Sequence, residues 1–198
     1  MSTSSYNSSS QLSLLRKSYN IYMRKVVLYI AASLDGYIAR PDDSIDWLED
    51  KAYALEGEDY GYSEFTQTID TTLMGHSTYK VILGFEKPFP LPTETNFVFS
   101  RSAGHTDTAQ VQFIDTDAVA FVQELKQQPG KAIWLMGGGQ LNTLLLNARL
   151  IDEIILTYIP IVLGAGIPLF AAGAQETKLQ VSGSKTYPNG FVQVRLNS

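Results

Sequence analysis

The chain of 198 residues contains no cysteine, and no apolar run approaches the length of a membrane span. The absence of cysteine excludes disulfides, thiolate catalysis and cysteine-ligated metals, so we expect a protein without a metal site and with a cytosolic location. A helix that crosses a bilayer needs roughly 18 or more apolar residues in succession, which the sequence does not supply.

Positive charge is also scarce. Lysine and arginine number 15 against 20 aspartate and glutamate residues, for a formal net charge of -5. This balance argues against nucleic acid and anionic membranes as partners, because phosphate groups attract basic surfaces. Hydrophobic residues make up 44% of the chain and charged residues 18%, which is enough apolar material for a sizeable core.

The first 22 residues differ in composition from the rest of the chain. They contain no acidic residue and are rich in serine, asparagine and tyrosine. They lack the long apolar segment of a signal peptide. The first strand pattern begins just after Met23, so we predict a disordered or loosely docked extension over residues 1–22 and a single domain over residues 23–198.

Segments of strand and helix character alternate along this domain. The predicted strands cover residues 26–33, 71–75, 96–100, 111–115, 132–136 and 153–162, and the predicted helices cover residues 58–69, 76–84, 117–128 and 137–149. Two further strands flank a "PNG" hairpin signal at residues 188–190. This order predicts a three-layer α/β sandwich with a mainly parallel sheet and an antiparallel C-terminal hairpin.

The clearest chemical signal is the stretch "IWLMGGGQLNTLLL", in which a buried strand meets three glycines and then a helix. Backbone amides at a helix N-terminus attract anions, and glycine allows a close approach. The alternative is a tight turn without a ligand. The motif is neither a Walker A loop nor a full dinucleotide fingerprint, because Asn142 stands where the third glycine belongs.

A second glycine ends a strand in "LMGHSTY", residues 73–79. Ser77 and Thr78 could cap the following helix, which would leave His76 facing solvent, or the helix start could bind a second anion. A hydrolase with Ser77 as nucleophile is a weaker alternative, because its turn needs a glycine where Tyr79 stands.

A third strand end carries Ser100 and Arg101, and arginine suits phosphate, although a surface arginine in a turn is the simpler interpretation. Ligands of open α/β sheets gather beyond the carboxyl ends of the strands. One dinucleotide with several phosphates could therefore use all three strand ends.

Together these motifs resemble the dihydrofolate reductase superfamily, and most closely the C-terminal reductase domain of the bacterial riboflavin-biosynthesis protein. The matching stretches are "AASLDGYIA" (31–39), "DYGYSEF" (59–65), "LMGHSTY", "FSRS", "LMGGGQL" and "PIVLGAGIPLF" (160–170), the last of which is specific to the riboflavin-type branch. The resemblance implies a homodimeric NADPH-dependent reductase that transfers a hydride to a C=N or C=O bond of a small heterocyclic or carbonyl molecule, such as a pteridine.

The resemblance also implies roles for individual residues. The cofactor would be bound by Ala31, Ile38, Gly75, His76, Ser77, Thr78, Ser100, Arg101, Gly137, Gly138, Gly139, Gln140 and Leu141. The substrate would contact Ala32, Trp47, Asp59, Tyr62 and Thr157. Asp59 would be the catalytic acid or the substrate anchor, with its pKa raised by burial in an apolar cleft. The alternative for Asp59 is an acid that merely stabilises a helix start. A second acid, Asp35, is interpreted as a turn residue.

Two positions depart from the family pattern. His76 replaces an arginine, so we expect NADPH as the cofactor while NADH stays open. Glu94 stands where dihydrofolate reductases carry the arginine for the folate tail, which argues against dihydrofolate as the substrate. The alternative to an enzyme is a non-catalytic nucleotide-binding or sensor module.

Overall fold

The computed structural model describes residues 23–85, 91, 93–102 and 104–198. The predicted extension over residues 1–22 lies outside these residues. The strands are β1 (Val26–Ser33), β2 (Tyr37–Ala39), β3 (Ile69–Gly75), β4 (Thr95–Phe99), β5 (Val111–Ile114), β6 (Ala132–Gly137), β7 (Glu153–Ile159), β8 (Ile167–Pro168), β9 (Gln180–Thr186) and β10 (Val192–Asn197). The helices are α1 (Tyr62–Gln67), α2 (His76–Leu83), α3 (Ala118–Lys126) and α4 (Gly139–Asn147), with two 3-10 turns at Asp46–Leu48 and Lys51–Tyr53. None of the helices in the described ranges has the length and hydrophobicity that crossing a bilayer requires.

Eight strands form one mixed sheet in the order β5-β4-β3-β6-β1-β7-β10-β9. The six strands from β5 to β7 in this order pair in parallel, whereas β10 runs antiparallel to both β7 and β9. β1 lies near the middle because its sequence, VVLYIAAS, supplies apolar side chains to both faces. The predicted parallel sheet with an antiparallel hairpin is confirmed.

Helices cover both faces of this sheet. On one face the core joins buried side chains of the strands with those of α3 and α4, among them Leu28, Leu73, Leu135, Leu125 and Leu145. On the other face Phe65 of α1 packs with Trp134, and Ile82 of α2 packs with Met74. Successive side chains of a strand point to opposite faces, so each central strand contributes to both cores and creates the three layers.

Some predicted elements differ in extent, and two short strands were not predicted. The strand predicted over residues 153–162 ends at Ile159, because Pro160 has no amide hydrogen to donate to a ladder. The helix predicted over residues 58–69 starts only at Tyr62, because Gly61 takes a left-handed conformation with φ of 85°. β2 and β8 pair with each other inside segments predicted as loops, since strands this short leave no periodic signal.

Ion pairs lie along the amino edge of the sheet, which is the side on which the parallel strands begin. The Arg24 guanidinium pairs with Asp70 and donates to the Thr71 hydroxyl at 2.7 Å. The Lys126 ammonium pairs with Asp152, whose carboxylate also accepts from the Val26 amide at 2.7 Å. These paired charges stabilise the amino edge. The glycine turns lie on the opposite side, the carboxyl edge, where the parallel strands end.

Candidate active site

Two neighbouring strands, β3 and β6, end in glycine at the carboxyl edge. A methyl group added to Gly75 would lie 3.7 Å from the Gly138 nitrogen and 3.8 Å from the Gly137 oxygen. A methyl group on Gly138 would lie 3.5 Å from the Thr78 hydroxyl oxygen. The N-termini of α2 and α4 therefore lie side by side, which agrees with the expectation that one ligand could use several strand ends.

Neither of these helices has a side-chain cap. The residues before them are Gly75 and Gly138, and the prediction that Ser77 or Thr78 caps α2 is wrong. By contrast, the Asp117 carboxylate caps α3 by accepting from the Ala120 amide at 2.9 Å. Helix N-termini without caps carry partial positive charge and unpaired donors, so the pair suits an anionic ligand with more than one phosphate.

The three glycines of the α4 turn differ in what surrounds them. The Gly137–Gly138 peptide bond is cis. A methyl group on Gly139 would lie 2.1 Å from the Pro168 carbonyl oxygen, so this glycine is required by the packing of the 160–171 segment. Leu141 is 7% exposed and belongs to the core, so only its backbone could meet a cofactor, whereas Gln140 is exposed.

Asn142, at the position of the missing third glycine, is fully buried. Its side-chain amide donates to the Leu169 carbonyl at 2.9 Å, and the Ala171 amide donates to the Gly139 carbonyl at 3.3 Å. The departure from the dinucleotide fingerprint is thus explained, because Asn142 ties the start of α4 to the "PIVLGAGIPLF" segment.

Asp35 fastens the same segment to the end of β1. Its carboxylate accepts from the Ser33 hydroxyl at 2.7 Å and from the amides of Leu163 and Gly164 at 3.1 and 2.7 Å. The hydrogen bond from Ser33 is the main cause that lowers the pKa of Asp35. These contacts agree with its interpretation as a turn residue.

Ala31 and Ile38, predicted to bind the cofactor, and Ala32, predicted to contact the substrate, differ in their surroundings. Ile38 would be 4.0 Å from a methyl group on Gly138, so it borders the glycine turn. Ala32 is fully buried in the core beneath α3 and α4, and Ala31 packs with the cluster around Trp47 on the other face. A ligand at this edge could reach Ala32 only through its backbone.

The third strand end brings together both histidines of the chain. Ser100 and the Nε2 atom of His105 are hydrogen-bonded at 2.9 Å. The rings of His76 and His105 lie 4.6 Å apart between centroids, and Arg101 beside them is exposed. Burial lowers the pKa of His76, with further lowering by His105 and Lys80. His105 carried no motif in the sequence, so its place in the site depends on the tertiary structure.

Asp59 does not occupy an apolar cleft. Its carboxylate is exposed and accepts from the amides of Gly61 and Ser63, each at 2.9 Å. Hydrogen bonding from Ser63, by its side chain and then its backbone, lowers the pKa of Asp59, and the Gly61 amide adds to this effect. The expected rise in pKa is therefore wrong, because hydrogen bonds to the ionised carboxylate outweigh the opposing effect of desolvation. Asp59 stands at the start of α1 as an ionised group.

A buried hydrogen-bond network next to Asp59 was not predicted. The Tyr60 carbonyl accepts from the Tyr29 hydroxyl at 3.1 Å and from the Gln193 side-chain amide at 3.0 Å. The same amide donates to the Thr157 hydroxyl at 3.1 Å. The structure thus connects Thr157 to the residue after Asp59. Gln193 could have been noticed as a polar residue between two valines of a strand.

The two aromatic residues predicted at the substrate site are placed differently. Tyr62 is 36% exposed and packs against Tyr29 and Trp134, with ring centroids 6.4 and 5.9 Å away. Trp47 is 2% exposed and belongs to a cluster with Phe191. Tyr62 can therefore meet a ligand, whereas Trp47 forms part of the wall behind the site.

An open cavity of about 260 Å³ adjoins this network. Its lining includes Tyr60, Gln193 and the charged side chains of Glu64, Lys185 and Arg195. The walls combine polar and apolar surface in nearly equal parts, which suits a heterocycle that has both a flat ring and hydrogen-bonding groups.

Comparison with known proteins agrees with this architecture. The uncharacterized protein YwjB of Bacillus subtilis (strain 168) is 47% identical over 165 residues, which cover 83% of this chain and 92% of YwjB. The crystal structure of a putative riboflavin biosynthesis protein from Shewanella sp. PV-4 has a TM-score of 0.78 at 26% identity, covering 87% of this chain and 98% of that one.

A more distant structure shows the same fold. The diaminohydroxyphosphoribosylaminopyrimidine deaminase/5-amino-6-(5-phosphoribosylamino)uracil reductase of Thermotoga maritima has a TM-score of 0.65 at 15% identity, covering 94% of this chain and 58% of that one. The sequence model of a protein family described as the RibD C-terminal domain matches residues 24–193 of this chain. The chain therefore belongs to the RibD C-terminal domain family and has the dihydrofolate reductase-like fold of its reductases.

Proposed function

We propose that this domain is an NADPH-dependent reductase that transfers a hydride to a C=N or C=O bond of a small heterocycle, with a pyrimidine-type ring as the favoured class. The adjacent, uncapped N-termini of α2 and α4 are the observation that carries the proposal. Two positive helix ends next to each other match the paired phosphates of a dinucleotide, and the glycines leave room for them.

The residues present fit such a cofactor. Added methyl groups on Gly75 and Gly138 would point into the space between the two helix starts, so glycine keeps this cradle open. Thr78 and Ile38 border the cradle. A bound reduced nicotinamide would supply the hydride, and the chain itself would position the two rings.

Asp59 is better suited to anchor the substrate than to donate a proton. Its lowered pKa keeps the carboxylate ionised at neutral pH, when it can accept from ring N–H or amino groups of a pyrimidine. Each carboxylate oxygen already accepts one backbone amide and retains acceptor capacity. The proton that completes reduction would then come from solvent.

The names of the structural relatives favour pyrimidines over other heterocycles. The Thermotoga protein is named as a deaminase and a reductase of an aminouracil, and the Shewanella protein as one of riboflavin biosynthesis. The homodimer, the cytosolic location and the exclusion of nucleic acid and membranes as partners stay predictions.

A titration of tryptophan fluorescence with NADPH and NADH tests the proposal. Trp134 lies beneath Tyr62 and its indole donates to the Tyr29 carbonyl at 3.0 Å, so it should report on ligands at this face. Binding should be followed by substrate-dependent loss of reduced-nicotinamide absorbance with a panel of aminopyrimidines, pterins and small carbonyls. Binding of a nucleotide without turnover of any compound in the panel would favour the sensor module. Failure to bind either nucleotide would rule out the proposed reductase activity.

A further inference from the structure

Both histidines of the chain meet at one corner of the carboxyl edge, although 28 residues separate them in sequence. His76 begins α2 and His105 lies in the connection from β4 to β5. Their ring centroids are 4.6 Å apart, with 50° between the ring planes. The rings are close enough for one small anion to contact both.

Aromatic neighbours hold both rings in place. His105 stacks on Phe113 with centroids 4.6 Å apart and 16° between the planes, and its Nε2 is hydrogen-bonded to Ser100. His76 lies 6.4 Å from the Tyr79 ring. Both histidines are half-buried, so they are ordered by packing and still reachable by a ligand.

The charges around the pair are mostly positive. The positive charge of Lys80 on α2 contributes to lowering the pKa of His76, and Arg101 follows Ser100 at the end of β4. Asp107, in the same connection as His105, accepts from the Phe113 amide at 2.8 Å. Within the described residues no carboxylate lies within ion-pair distance of either histidine. A protonated pair would thus lack a counter-ion from this part of the protein.

We propose that His76 and His105 together recognise the 2′-phosphate of NADPH, and that binding this phosphate is coupled to proton uptake by the pair. The inference rests on the proposed function. A 2′-phosphate carries nearly two negative charges and three acceptor oxygens, so it would supply the missing counter-ion. The 2′-hydroxyl of NADH could not. An arginine is already charged, whereas a neutral histidine must gain a proton to match that charge.

The pKa of His76 fits this coupling, because burial, His105 and Lys80 all lower it in the free protein. This lowering favours the neutral ring of His76 before the ligand arrives. A phosphate between them reverses the electrostatic environment and favours the protonated rings. The affinity for NADP⁺ should therefore fall as pH rises, whereas the affinity for NAD⁺ should not.

Calorimetric titration with NADP⁺ and NAD⁺, in buffers of different ionisation enthalpy, measures the protons taken up. We expect uptake of roughly one proton for each NADP⁺ bound near neutral pH and almost none for NAD⁺. NADP⁺ affinity should fall about tenfold or more between about pH 6 and about pH 8, with less than about a twofold change for NAD⁺.

Substitutions identify the groups that take up the protons. His105→Phe retains the stacking on Phe113, and His105→Gln is the second variant should the first not fold. Either should lower NADP⁺ affinity about tenfold at low pH and reduce proton uptake, with NAD⁺ affinity unchanged. His76→Arg supplies a fixed charge, so it should preserve NADP⁺ affinity while reducing the uptake.

The outcomes separate the two proposals. Phosphate recognition by the two histidines is wrong if NADP⁺ binds with no more proton uptake than NAD⁺. It is also wrong if the uptake persists in a His76→Gln, His105→Gln double variant. Either result leaves the proposed reductase activity standing. Equal affinity for NADP⁺ and NAD⁺ at every pH also overturns the pair. Binding of neither nucleotide by the unmodified protein rejects the reductase itself.

Discussion

The side-chain amide of Gln193 donates a hydrogen bond of 3.0 Å to the carbonyl oxygen of Tyr60. Tyr60 has φ of 58°, a left-handed conformation that is unfavourable for a residue with a side chain. The bond joins the last strand of the sheet to the turn that presents Asp59. Tyr29 donates to the same oxygen, so two side chains from different strands hold this backbone conformation.

Removing the Gln193 amide should therefore destabilise the turn. We expect Gln193→Ala to lower the free energy of unfolding by about 1–3 kcal/mol, because it leaves buried partners unsatisfied. The measurement is urea denaturation. The matched control is Gln180→Ala on the exposed edge strand β9, which should change stability by less than about 0.5 kcal/mol. Equal effects of the two substitutions would contradict a special role for Gln193.

Asp59 can be tested for its charge separately from its role at the helix start. Asparagine keeps one side-chain oxygen that can accept the Ser63 amide, so Asp59→Asn should leave the melting temperature nearly unchanged, whereas Asp59→Ala should lower it. If the carboxylate anchors the substrate, Asp59→Asn should raise KM or lower kcat/KM by about tenfold or more with NADPH affinity unchanged. Unchanged kcat/KM in the asparagine variant would show that the Asp59 carboxylate does not bind the substrate.

The glycine cradle predicts a loss of cofactor binding without a loss of fold. Gly75 has φ of -78°, which any residue adopts, and an added methyl group would make only ordinary contacts. Gly75→Ala should therefore melt within a few degrees of the unmodified protein but bind NADPH about tenfold or more weakly, because the methyl group lies between the helix starts. Gly183→Ala is the control, since open space surrounds that position on β9. Tryptophan fluorescence titration measures both variants, and normal binding by Gly75→Ala would argue against the cradle.

Tyr29 gives a pH-dependent prediction. Burial is the main cause that raises its pKa to about 12 from the ordinary value of 10.0. The folded state thus keeps the neutral phenol while the unfolded state ionises near pH 10. The stabilisation by the neutral phenol is fully present below pH 10.0 and is lost as pH rises toward about 12.

Tyr29→Phe removes this titration. The stability advantage of the unmodified protein over the variant should shrink between pH 10 and pH 12, as followed by chemical denaturation at a series of pH values. Ultraviolet titration of tyrosinate should show one fewer late-ionising tyrosine in the variant, in which Tyr62, with its pKa also raised by burial, is still present. A constant difference in stability across this range would show that Tyr29 ionises normally in the fold.

Much of the architecture was predictable from local patterns. The continuous apolar run of β1, the glycines after β3 and β6 and the "PNG" turn all act over a few neighbouring residues, so periodicity and turn chemistry reveal them. For the same reason the positions of the two uncapped helix starts were correct. Short elements such as β2 and β8 were missed, because their pairing depends on a partner far along the chain.

The environments of individual side chains were less predictable. Asp59 was expected in an apolar cleft, but the left-handed turn at Tyr60 and Gly61 exposes it and surrounds it with amides. Burial depends on which segments pack above a residue, and that information is spread over the whole chain.

The α/β sandwich and the glycine turns follow from the sequence, because hydrophobic periodicity and glycine placement are local properties, and the family was indicated by the resemblance of its motifs. The tertiary structure alone decided that Gln193 supports Tyr60 and that His105 lies beside His76. Both contacts form between segments distant in sequence, and only the pairing of strands and the path of their connections brings such segments together.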